Sequence, residues 1–278
     1  TGGEPPPRHR AELEAILKGS PSRGSEAKPL HILLAAGPKD HGPGEHDYPL
    51  WQKRWAKLLS LAENVKISLA SGWPEREQWT TADLIVFYSN NPGWSAERAA
   101  DLDAFLNRGG GLVYLHYAVD GHEHVEELSR RIGLAWRGGF SRFRHGPLDL
   151  QLHPHPLAAG FGKAAPATGV PGAIKRGTVS AAGLGELSLI DESYWQLVGD
   201  EKGVDLLASG IEEGKAQPLI WTREAGPGRV FVSIPGHYTW TFDDPLFRLL
   251  VLRGLAWSAH QPADRFAELA TIGARVRD

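Results

Sequence analysis

The chain has 278 residues, 41% hydrophobic and 23% charged, with a formal net charge of −3, a composition that supplies an ordinary buried core and argues against wholesale disorder. No Lys/Arg run marks a nucleic-acid or anionic-membrane surface, and apolar stretches such as 112–119 are far too short to span a bilayer, so neither partner is expected. Cysteine is absent, which excludes disulfides, thiolate metal ligands and a Cys nucleophile.

Residues 1–28 read as an N-terminal arm, with a short helix at 12–18 between Pro-rich and Gly/Ser-rich pieces. The opening TGGEPPPRHR has no initiator Met and no apolar run, and reads as a processed or trimmed end. A removed export signal would favour a periplasmic or secreted location over the cytoplasm. Residues 29–278 read as one domain. HILLAA (31–36) is a buried-strand run, followed by a helix over about 50–62 with Trp51, Trp55, Leu58, Leu59 and Ala62 on one face. VKISLA (65–70) and DLIVFYS (83–89) are strands. Ser95 caps a helix to about Asn107, a Gly109–Gly111 stop ends it, and GLVYLHYA (111–118) is a fourth strand. This β-α-β-α-β-α-β pattern predicts an α/β fold with a parallel sheet and helices on both faces. The stretch 134–200 is less regular, with strand candidates at 148–153 and 186–190. Strands return at 204–209, 217–222 and 228–234, with a hairpin turn at Gly226-Pro227-Gly228. Helices at 245–259 and about 262–270 close the chain. No internal repeat and no second core is seen.

In an open parallel sheet, ligands bind beyond the carboxyl ends of the strands, so polar residues there are the candidates. The first strand exits into GPKDHGPGEHDYP (37–49), where Lys39, Asp40, His41, Glu45, His46 and Asp47 sit among helix breakers. Such a loop can converge its side chains on a divalent metal or serve as acid and base; the plain alternative is a solvated loop in which Asp47 caps the next helix. The fourth strand ends at His116, and the last ends at SIPGHYTWTFDD, where His237 follows a Pro-Gly turn. Tyr238 and Trp240 could form a sugar platform beside it, or an aromatic lid on the closing helix. DESYW (191–195) offers Asp191 and Glu192 after a strand, as metal ligands, general base or a turn cap. RFRHG (142–146) offers Arg142, Arg144 and His145 to a polyhydroxyl substrate, or is simply a solvated edge strand. HPHP (153–156) reads as a rigid turn, since each His precedes a Pro. No G-x-S-x-G elbow, no G-x-G-x-x-G after the first strand and no Walker A loop occurs.

In order and spacing, GGGLVYLHYA, HPHPLAAGF, DESYW and PLIWTREAGPGRVFVSIPGHYTWTFDDPLFRLLVLRGLAWSA resemble the ThuA-like proteins of bacterial trehalose utilisation, from about Leu30 to Ala259. KDHGPGEHDYP looks like a subgroup whose first loop is rich in His and acids. The resemblance implies a class I glutamine amidotransferase-like fold, a flavodoxin-like three-layer αβα sandwich with a mainly parallel sheet. Those enzymes carry a Cys near the place of His116; without one, the amidotransferase mechanism is absent.

The resemblance implies carbohydrate catabolism beside sugar dehydrogenases that make 3-keto-glycosides. The expected protein is therefore an enzyme on a (3-keto) glycoside or related saccharide, a metal-assisted hydrolase, lyase or isomerase. A carbonyl at C3 acidifies the neighbouring C–H, which calls for a base and an electrophile such as a divalent metal ion. His116, His237 and Glu192 are the catalytic candidates. Lys39, Asp40, Arg144, His145, Tyr238 and Trp240 are the substrate-binding ones, and His41, His46 and Asp47 the metal ligands. The alternatives are a non-catalytic sugar-binding or accessory subunit of a sugar dehydrogenase, and a homo-oligomer strapped together by the arm.

Overall fold

The computed structural model describes residues 3–18, 27–90, 93–163 and 185–278. Nine strands form the main sheet: β1 (Leu30–Ala36), β2 (Val65–Ser71), β3 (Leu84–Tyr88), β4 (Gly111–Leu115), β5 (Arg142–Leu152), β6 (Glu186–Trp195), β7 (Asp205–Glu212), β8 (Lys215–Ala225) and β9 (Gly228–Ser233). Their spatial order is β2-β1-β3-β4-β9-β8-β7-β5-β6. The first five are parallel neighbours and the remaining pairings are antiparallel. The architecture is thus mixed α/β around a large sheet, parallel in one half. Every residue of β3 and β4 is buried, which is why these strands read as unbroken apolar runs. On β2, at the sheet edge, most residues are partly or fully exposed.

Among the described residues six α-helices accompany the sheet: α1 (Arg10–Leu17), α2 (Tyr48–Leu59), α3 (Arg76–Thr81), α4 (Ala96–Asn107), α5 (Val125–Ile132) and α6 (Pro245–Ser258). Helix α2 packs on β1 and β2, and α6 on β3, β4 and β9. Helix α4 packs on β4 and β9 and touches α3 and α5. Helix α6 is buried nearly all round, in keeping with a sequence that is apolar on every face. Its first turn is closed by Asp244, which accepts from the backbone N–H groups of Leu246 and Phe247 at 2.9 and 3.1 Å. Among the described residues no helix is long and apolar enough to cross a membrane.

Several elements differ from their expected bounds. Helix α2 starts two residues earlier than the periodicity suggests, because Asp47 accepts from Leu50 N–H and Pro49 fits the first turn. The fourth strand stops at Leu115, and His116–Val119 is a 3₁₀ turn instead. The two short strand candidates of the middle region are the inner parts of a long antiparallel pair, β5 with β6. DESYW therefore lies within a strand and does not follow one. Residues 164–184 of that region lie outside the described residues. The expected arm is tied to the body: Arg8–His9 pairs with Val276–Arg277, and Leu13 and Ile16 of α1 are buried in the common core.

A partly buried ion pair adds to that attachment. The Arg8 guanidinium donates to Asp244 Oδ2 at 2.7 Å and to Ser188 C=O at 2.5 Å. Burial works against its charge, but the Asp244 carboxylate outweighs that and raises the Arg8 pKa. Replacing Arg8 with Ala leaves the buried Asp244 without its cation and is expected to cost about 2–3 kcal/mol. Urea unfolding should show this as a lower midpoint at unchanged slope.

Candidate metal centre

Parallel pairing brings the carboxyl ends of β1, β3, β4 and β9 to one edge, where Ala36 pairs with Tyr88 and Leu115 with Ser233. The loop leaving β1 is folded on itself by Lys39, whose Nζ donates to Gly42 C=O and Glu45 C=O at 2.5 Å each. That loop is stitched to the segment leaving β9 by His46 N–H to His237 C=O (3.0 Å) and Thr239 N–H to Gly44 C=O (2.9 Å). The far strand β6 reaches the same place. Asp191 on β6 accepts from the backbone N–H groups of Gly236 and His237 at 2.9 and 3.1 Å, so the antiparallel half curls back over the carboxyl edge.

Four side chains meet there. His46 Nε2 and His116 Nε2 are 2.8 Å apart. His237 Nδ1 lies 3.0 Å from His46 Nε2 and 3.3 Å from His116 Nε2. Glu192 Oε2 lies 3.1 Å from His116 Nε2 and 3.0 Å from His237 Nδ1. All four residues are buried. All but the 2.8 Å pair fall within the roughly 2.9–3.4 Å expected between donors around one cation held at about 2.0–2.1 Å, and that pair is just below it. The cluster could hold a metal ion.

The opposite ring nitrogens decide the protonation. His46 Nδ1–H donates to Asp40 Oδ1 at 2.9 Å, and His116 Nδ1–H donates to Ile234 C=O at 2.7 Å. With those protons outside, both Nε2 atoms turn lone pairs inward at a separation where a bare pair repels. Burial, followed by the neighbouring imidazoles, pushes the His46 pKa far below its ordinary value, so His46 stays neutral. Burial would raise the Glu192 carboxyl, but the histidines bonded to it hold it well below the usual carboxylate range. Burial likewise lowers His237, yet its bond to Glu192 and the carboxylates around it raise it overall. The cluster thus calls for positive charge, as a proton near His237 or as a cation.

Two of the four residues also carry backbone strain. His46 (φ 40°) and His116 (φ 54°) both sit in the left-handed region, at about 1–2 kcal/mol each. Gly236, at φ 143°, lies against His116, and a Cβ there would come within 3.2 Å of His116 Cβ. Around the four donors, Tyr48 donates to Asp40 Oδ2 at 3.3 Å and backs His46. The Tyr194 hydroxyl donates to Glu192 Oε2 at 3.1 Å and also lies 3.1 Å from His116 Nε2. Asp191 is fully buried; besides Gly236 and His237 it accepts from Glu192 N–H at 2.7 Å and from the Thr241 hydroxyl.

The candidate residues divide as follows. His46, His116, His237 and Glu192 converge, mixing expected metal ligands with expected catalytic groups. Asp40 and His41 form an outer group with His46, where His41 is exposed and donates to Asp40 Oδ1 at 2.9 Å. Asp47 is not in the cluster; it caps α2 and lies 3.8 Å from Lys39. Lys39 serves the loop backbone. Arg144 points to the other face of β5, donating to Glu212 Oε2 at 2.7 Å and Pro147 C=O at 2.8 Å. His145, with a side chain 30% exposed, meets Glu192 Oε1 at 3.0 Å and stands at the rim. Tyr238 is buried under Trp240, whose Nε1–H donates to Ile190 C=O. His153 and His155 bond Ser209 and Thr222, away from the cluster. Tyr48 and Tyr194 carry no such signal in the loop and turn readings of their segments. The spacing of Glu192 and Tyr194 by two would have put both on one face, had DESYW been read as strand.

The sequence matches the ThuA family, described as trehalose utilisation, over residues 52–258. The chain belongs to the ThuA family. No curated protein matches it. Among solved structures, a ThuA-like protein from Parabacteroides merdae superposes with a TM-score of 0.58 at 19% identity, covering 84% of this chain and 90% of that one. A ThuA-like protein from Bacteroides uniformis gives 0.59 at 13% identity, covering 88% and 99%. Part of a β-galactosidase from Bacillus circulans gives 0.52 at 11% identity, covering 84% of this chain but 32% of the enzyme. At these identities the likeness is one of fold. For this ThuA-family chain, the family description points to carbohydrate metabolism.

Proposed function

We propose that this ThuA-family protein is a metal-dependent enzyme of carbohydrate catabolism, acting on a 3-keto-glycoside or related saccharide. One observation carries the reading: the Nε2 lone pairs of His46 and His116 face each other at 2.8 Å with their protons held on the far nitrogens. Two histidines so arranged, with His237 and a buried carboxylate beside them, make a donor set for a borderline divalent ion such as Zn²⁺. The saccharide rests on the family's tie to trehalose utilisation. The parallel strand order β2-β1-β3-β4-β9, with α2 and α6 in one helix group and α3 to α5 in another, supports a flavodoxin-like three-layer sandwich.

The residues divide the work by position. His46, His116, His237 and Glu192 would hold the ion, which would supply Lewis acidity toward a sugar carbonyl. Asp40 and Tyr48 orient His46, and Tyr194 orients Glu192. His145, at the rim and bonded to Glu192 Oε1, would take a proton from the carbon next to the C3 carbonyl and return it. A sugar dehydrogenase that oxidises C3 is the reaction class that would supply the substrate.

Elemental analysis of the purified protein tests this, together with turnover of methyl 3-keto-glucoside before and after chelation. One equivalent of a divalent metal and chelator-sensitive turnover are expected. Saccharide binding without metal or turnover would replace the enzyme reading with that of a sugar-binding accessory subunit.

A further inference from the structure

We infer that Phe143 is the stacking platform of a pyranose subsite at the mouth of the metal centre. The register of β5 on β6 sets Phe143 opposite Tyr194 and His145 opposite Glu192. Directly opposed residues share a face of the sheet, so these four side chains stand together, with Arg144 and Ser193 on the reverse. The inner pair, Glu192 and Tyr194, is buried in the metal centre. The outer pair is open: Phe143 is 56% exposed, and its ring lies 5.8 Å from that of His145.

An exposed apolar residue by itself is ordinary. Phe143 is more open than the other rings that touch the cluster, of which Tyr117, 5.7 Å from His46, is half-buried. Tyr238 is 5% exposed and stacked on Trp240 at 4.2 Å, so Tyr238 offers no open face and the half-buried Trp240 has one face already covered. Trp136 packs on Tyr194 at 4.6 Å and is itself buried. Phe140 is exposed but has the Arg137 guanidinium 5.9 Å from its ring centre. Phe143 therefore presents a free aromatic face, 6.1 Å from Trp136, one residue pair outward from two groups of the cluster.

A pyranose has a flat C–H face bounded by hydroxyls. Laid on Phe143, it would bury that face and turn its rim toward His145 and the ion. The inference rests on the saccharide reading above and adds where the sugar ring sits.

Calorimetry on the metal-loaded full-length protein, with trehalose and methyl 3-keto-glucoside as probes, tests it. Phe143→Ala should weaken binding about tenfold, the loss of one face of apolar contact, with metal content unchanged. Phe143→Trp should restore binding to within about threefold of the parent. Leu61→Ala, which removes another exposed apolar side chain, should change nothing. Sorbitol, which has hydroxyls but no ring face, should not distinguish Phe143→Ala from the parent. Equal affinity of parent and Phe143→Ala for both sugars overturns the inference, as does failure of the parent to bind either. A metal-free parent whose sugar binding still depends on Phe143 would overturn the metalloenzyme reading and leave the platform standing.

Discussion

His116→Ala is expected to leave the protein folded but unable to retain a divalent ion, with turnover lowered by about a thousandfold or more. His116 Nε2 lies within reach of all three other donors, at 2.8 Å from His46, 3.1 Å from Glu192 and 3.3 Å from His237. Its removal takes away one of the four candidate ligands and opens space beside the buried Glu192 carboxylate. The left-handed backbone at residue 116 suits a non-glycine residue no better than before, so the fold gains nothing that would hide the loss. His41→Ala is the matched contrast. His41 bonds Asp40 and packs its ring 3.8 Å from that of His46, but it gives no atom to the four-donor cluster, so metal stoichiometry should persist and affinity fall about 10–100-fold at most. Mass spectrometry of bound metal and kcat/KM for methyl 3-keto-glucoside read both variants. Equal metal retention by His116→Ala and the parent would remove the four-donor centre from consideration. The pH dependence has a defined sign. His237 is raised and shares its proton with Glu192, so the ion must displace that proton, and affinity should fall as pH drops through the neutral range.

Asp191→Ala is expected to be the most damaging single change outside the donor set. The Asp191 carboxylate is 0% exposed and is bonded by Glu192 N–H, Gly236 N–H, His237 N–H and the Thr241 hydroxyl. Alanine would strand those buried donors at about 1–3 kcal/mol each before relaxation. A net loss of about 3–5 kcal/mol is expected, a fall in melting temperature of roughly 10 °C. Because Asp191 pins the two backbone positions that carry Glu192 and His237, metal affinity should fall with stability. Asp191→Asn keeps an acceptor for the N–H groups and should lose less of both. Differential scanning calorimetry and metal titration give the two readouts. A variant as stable as the parent would show that the turn after β9 holds His237 without help from β6.

Part of this site could be read along the chain. Gly and Pro in 37–44 forbid a helix after β1, and apolar runs ending at His116 and before His237 place both imidazoles at a carboxyl edge. The division of labour inside the loop was less legible. His46 enters the cluster while His41, five residues earlier with the same side chain, stays exposed. The difference comes from the left-handed backbone at 46 and its N–H bond to His237 C=O, which no local spacing encodes. Asp47 looked like a ligand among acids and histidines, but its neighbour Tyr48 begins a helix, and the carboxylate is needed as its cap. Arg144 and His145 are adjacent, yet on a strand they face opposite sides, so one meets Glu212 and the other Glu192.

Local sequence determined which segments become strands, where turns fall, and that no thiol chemistry occurs, because periodicity, turn residues and composition act over a few residues at a time. Tertiary structure alone decided which nitrogens meet. His46 and His116 are 70 residues apart and His116 and His237 are 121 apart, while Glu192 arrives on a strand from the opposite half of the sheet. Their meeting depends on the register of β5 on β6 and on the curl that carries Asp191 to Gly236. These are set by packing of the whole core, to which each local segment contributes only a small part.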